Sequence, residues 1–136
     1  MKHLSIIVVL AVSACSGVPI KDLRSEPPHN SAIYKTNYSE LGNCVLDRLT
    51  TEPSSAWSPS TGNLQYETVD RKNKGIMTIT GSMVSHYKIP IIDLVFTATN
   101  EGTASEIRAG GVNGGPRFAG ERMADQAWTH VQSCAE

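Results

Sequence analysis

The chain has 136 residues, 18% of them charged and 40% hydrophobic, with a formal net charge of -1. That size and balance belong to one ordinary globular domain. The missing basic surplus argues against a protein that neutralises many phosphates, so nucleic acid is not an expected partner.

Met1, Lys2 and His3 make a short, positively charged start, and Leu4 to Val12 is an apolar run too short to span a bilayer. Residues 1–14 therefore read as a signal peptide. Val12-Ser13-Ala14-Cys15 resembles the lipobox of bacterial lipoproteins: a branched apolar residue, two small residues, then the cysteine. The resemblance implies a diacylglyceryl group on the Cys15 thiol, cleavage before that residue and acylation of the new amino terminus. Several acyl chains on one residue anchor durably, because each buried methylene contributes about 0.8 kcal/mol. Ser16 stands where inner-membrane lipoproteins commonly carry aspartate, so the resemblance implies the outer membrane, and its periplasmic face is the expected location.

From Ser16 to Thr36 the chain shows no sustained apolar period and contains Pro19, Pro27 and Pro28. Residues 15–36 are expected to be a lipidated flexible tether, with His29 solvated within it. A single α+β domain is then expected over residues 37–136.

The domain is expected to open with a helix over Tyr38 to Leu49, where Tyr38, Leu41, Val45, Leu46 and Leu49 recur at helical spacing. Asn37 and Glu40 form a capping-box pattern, and Pro53 lies beyond the end. The period then changes to that of strands. Leu64–Val69 and Ile76–Met83 alternate, with Asn73-Lys74-Gly75 ending the connection between them. Ile89–Thr99 is rich in large apolar residues and reads as a central strand, with Pro90 confined to its beginning. After the turn at Asn100-Glu101-Gly102, Thr103–Ala109 is expected to be a short, peripheral fourth strand. A glycine-rich loop, Gly110 to Pro116, leads to a closing helix with Ala119, Met123, Ala127, Val131 and Cys134 along one side and Trp128 beside them. The order implies a four-stranded antiparallel sheet with N- and C-terminal helices packed on one face.

Few constellations suggest chemistry. The glycine loop with Arg117 offers amides for an anion but lacks the lysine and hydroxyl of a P-loop, so it reads as a connection. Trp57 in a Ser-rich loop, with Gly111, Gly114 and Arg117, marks the one surface where a ligand would be sought; packing against the sheet is the ordinary alternative for Trp57. Trp128 reads as core. His86 falls in a loop between strands. His130 lies one turn before Cys134, and with Cys44 the three would be a sparse soft-metal set; a solvent-facing histidine and a disulfide are the plainer reading. No metal, cofactor or catalytic group is expected.

The helix reading Leu41-Gly42-Asn43-Cys44-Val45-Leu46-Asp47-Arg48-Leu49, the strands, and the last helix reading Ala127-Trp128-Thr129-His130-Val131-Gln132-Ser133-Cys134 look like those of small proteobacterial lipoproteins. The resemblance implies an envelope location, a compact α/β domain and a cysteine pair. With Cys15 committed to lipid, Cys44 and Cys134 are the two cysteines left, and an oxidising periplasm favours a bond between them. The expected function is a lipid-anchored, non-enzymatic accessory or interaction protein of the envelope, meeting the membrane through Cys15 and an envelope protein partner. The alternative is a binder of small ligands or cell-wall fragments, or an inhibitor.

Overall fold

Lys88–Thr99 (β4) is the middle strand of a five-stranded antiparallel sheet, and the rest of the fold is arranged about it. The computed structural model describes residues 19–52, 63–111 and 117–136. Along the chain, a short helix α1 (Ile20–Ser25) precedes strand β1 (Asn30–Tyr34) and helix α2 (Tyr38–Thr51). Strands β2 (Asn63–Arg71) and β3 (Ile76–Val84) follow, joined by a 3-10 turn, Lys72–Lys74. Then come β4, β5 (Gly102–Ala109) and helix α3 (Arg117–Ala135). The spatial order is β1-β5-β4-β3-β2, with every neighbouring pair antiparallel.

The architecture is α+β as expected, but the sheet has five strands instead of four. The additional strand is β1, which lies inside the segment expected to be a tether. Asn30–Tyr34 pairs with Ile107–Thr103, where it can satisfy backbone groups that a solvated tether would leave to water. Ala32 and Tyr34, two residues apart, turn toward the core, and Thr103 Oγ1 donates to the Thr36 carbonyl at 2.6 Å. Because β1 covers its outer edge, β5 is an interior strand and not the peripheral one its sparse apolar content suggested.

The main core lies between the sheet and the pair α2 and α3. Period-2 alternation sends Ile92, Leu94 and Phe96 of β4, Met77 and Ile79 of β3, and Ile107 of β5 to this face. Leu41, Val45 and Leu49 of α2 meet them, with Met123, Ala127, Trp128 and Val131 of α3. Trp128 is a core residue, its ring centroid 6.3 Å from that of Tyr34. Helix α2 starts where the cap signal placed it: Asn37 Oδ1 accepts from the amides of Ser39 and Glu40.

Two devices shape the sheet. Gly75, with φ of 61°, closes the turn into β3. In β4, Pro90 faces Ser82 while Ile92 faces Gly81, leaving Ile91 as an extra residue. Proline has no amide to give the ladder, so the irregularity falls beside it. Ile91 is still used: its carbonyl accepts from the Gly110 amide at 2.6 Å.

Candidate functional site

The alternation that fills the core also sends Thr80, Asp93 and Arg108 to the opposite face of the sheet. Among the described helices, α1 is the one on that face, where it packs on β4 and β5. Leu23 of α1 is buried there, and Arg24 reaches down to Asp93. The guanidinium donates twice, Nε to Asp93 Oδ2 at 2.8 Å and Nη2 to Asp93 Oδ1 at 3.0 Å. Thr80 Oγ1 donates to Asp93 Oδ1, also at 2.8 Å. Asp93 has no exposed surface at all, whereas the Arg24 side chain is 39% exposed. The carboxylate is thus taken out of water only because two donors replace its hydration. Hydrogen bonding to Asp93 holds the Arg24 guanidinium above its ordinary range, against the opposing effect of burial.

Arg108 completes the clamp from the next strand, its Nε donating to the Glu26 carbonyl at 2.8 Å just beyond the end of α1. Downstream, the His29 amide donates to the Ile107 carbonyl, and His29 Nε2 lies 2.8 Å from Asp125 Oδ1 of α3. His29 is exposed, as expected, yet it ties the start of β1 to α3. Chemically, the cluster is a fastening. Asp93 accepts three hydrogen bonds from Arg24 and Thr80, and so holds the chain at α1 in place.

The cysteine expectation is met directly. Cys44 of α2 and Cys134 of α3 are disulfide-bonded, with Cα atoms 5.9 Å apart and a sequence separation of 90. Both sulfurs are thereby removed from any metal. His130 is not solvent-facing: its side chain is largely covered, with Nδ1 3.8 Å from Glu52 Oε2 at the end of α2. His86 sits in the turn between β3 and β4, beside the exposed Tyr87. Among the described residues, no group of three or more His, Cys, Asp or Glu side chains is placed to hold a metal ion. No described helix is long and apolar enough to cross a membrane.

The surface expected around the glycine loop is not assembled from the described chain. Gly111 is buried, and Arg117 opens α3. Trp57 and Gly114 lie outside the described residues, as does Cys15. Gly110 has a packing role: a β-carbon there would stand 2.4 Å from the Pro90 carbonyl oxygen.

Sequence reasoning missed Arg24, Asp93, Thr80 and Arg108. One signal was available, since Asp93 interrupts the apolar run Ile91-Ile92-Leu94-Val95-Phe96 of a central strand. A carboxylate in that position requires a cation, although nothing in the sequence says which one. No protein family, curated protein or solved structure matches the chain.

Proposed function

We propose that this protein is a lipid-anchored accessory or interaction protein of the bacterial cell envelope. It is held through acylated Cys15 at the periplasmic face of the outer membrane and has no catalytic activity of its own. The observation that carries this reading is the fastening of α1. Ile20 follows Cys15 by only five residues, and Leu23 and Arg24 are already fixed to the sheet. A fully extended chain of that length reaches about 18 Å. The anchor would therefore hold the folded domain close to the bilayer instead of on a long stalk. Pull on the lipid would pass straight to the Arg24–Asp93 pair. The disulfide supports the same compartment, because such bonds persist where the surroundings are oxidising.

The experiment is phase partition of the native protein, with mass spectrometry of its amino terminus. The protein should enter the detergent phase and begin at acylated Cys15, and Cys15→Ser should move it to the aqueous phase. An unmodified mature terminus at any other residue would overturn the anchor. Crosslinking in intact cells then asks for the partner: a reproducible envelope protein supports the accessory role, and recovery of abundant neighbours at background level removes it.

A further inference from the structure

From the outer edge of β2 we infer that the protein pairs with a second copy of itself, β2 against β2, about a two-fold axis through Val69. Strand β2 is the last in the sheet, and all nine of its residues pair with β3 in unbroken register. No described strand covers its other edge. It contains neither proline nor a break in that register, two of the devices that blunt an edge strand, and the charges it does carry, Glu67, Asp70 and Arg71, are of both signs. Its second half, Glu67 to Arg71, is exposed throughout, and Val69 in the middle is 49% exposed.

The pattern of charge about Val69 selects the partner. Glu67, Val69 and Arg71 alternate onto the same face, the one opposite α2 and α3. In an antiparallel pairing centred on Val69, each Glu67 faces Arg71 of the other copy and the two valines face each other. Opposite charges directly across a strand pair are favourable, and like charges are not. Neighbouring registers lose this match. Centring on Glu67 or on Asp70 sets a carboxylate against itself, and centring on Thr68 places Glu67 against Val69. Glu67 also contacts Lys88 of its own chain. A carboxylate has two oxygens and can accept from both cations. The joined sheet would have ten strands, with both α1 helices on the same side. The inference is independent of the lipid anchor.

Site-directed crosslinking tests it, using purified protein in which Cys15→Ser leaves Cys44 and Cys134 bonded to each other. The two-fold axis brings the Val69 β-carbons within about 5 Å, so Val69→Cys should form an intermolecular disulfide under mild oxidation. Ile33→Cys, on the other edge strand and comparably exposed at 56%, is the control for random collision. In the Val69→Cys background, Glu67→Arg and Arg71→Glu should each slow crosslinking about tenfold. Arg71→Glu does so with the Glu67–Lys88 contact left in place. The doubly exchanged chain, and an equimolar mixture of the two single variants, should recover the native rate because opposite charges face each other again. Crosslinking of Val69→Cys no faster than Ile33→Cys, or charge reversals that have no effect or are not rescued by exchange, would overturn the pairing.

Discussion

Arg24 and Asp93 stand 69 positions apart in the sequence and meet as a two-pronged ion pair on the sheet face that α2 and α3 leave open. The pair turns the first helix into a clasp, and the clasp can be released. Arg24→Ala should leave a fully buried carboxylate with the Thr80 hydroxyl as its remaining side-chain donor. Hydrogen bonds to a charged group contribute about 1.5–3 kcal/mol, and the partial exposure of Arg24 favours the low end. Denaturant unfolding should show that loss, with hydrogen exchange quickening in residues 20–34 ahead of the rest. Unaltered stability together with unaltered exchange would mean that α1 is held by something other than this pair.

Removing the disulfide should be more costly. The bond spans a sequence separation of 90, for which chain-entropy reasoning assigns about 4.6 kcal/mol. Cys44→Ala with Cys134→Ala, which strands no free thiol, should lower Tm by more than about 10 °C. Titration of the denatured, non-reduced protein should find neither Cys44 nor Cys134 reactive. Two reactive thiols there would show the bond to be open in solution.

Two glycines in helices should respond differently to the same substitution. Glycine to alanine in a helix interior gains about 1 kcal/mol of propensity. At Gly120 of α3, however, the new carbon would stand 2.0 Å from the Gly110 carbonyl oxygen, which is backbone and cannot swing aside. Gly120→Ala should destabilise by about 1–3 kcal/mol. At Gly42 of α2, the obstacle is the side chain of Met77, whose sulfur would be 2.4 Å away. Methionine adapts more readily than backbone, so Gly42→Ala should cost less. Equal costs in thermal unfolding would contradict this account.

Ser105 on β5 is buried, and its hydroxyl has no hydrogen-bond partner among the described residues. It lies between Ala32 and Phe96 in the sheet register. An unpaired buried hydroxyl costs about 1–3 kcal/mol relative to one left in water, and alanine removes it at little loss of volume. Ser105→Ala should therefore raise stability by about 1 kcal/mol. A decrease of that size would reveal a bound water or another partner for the hydroxyl in solution.

The periodic elements were legible in the residues because their local pattern and their tertiary environment agree. Asn37 begins α2 by capping it, Gly75 closes the turn into β3, and the apolar density of Ile91 to Phe96 belongs to the strand at the centre of the sheet. The pairing of Cys44 with Cys134 was within reach once Cys15 was set aside. β1 was not legible. Asn30–Tyr34 offers only Ala32 and Tyr34 to the core, too little to mark a strand without the neighbour that β5 provides some 70 residues later.

What the sequence by itself determined is the set of elements whose apolar faces repeat over many residues: α2, β2 to β5 and α3, with a disulfide between the helices. The tertiary structure alone decided that residues 20–34 are folded, that Arg24 is the cation for Asp93 and that β2 ends the sheet. Periodicity reports which side of an element avoids water. Ion pairs, edge strands and short segments depend instead on which distant part of the chain lies opposite, and that is set only when the whole sheet closes.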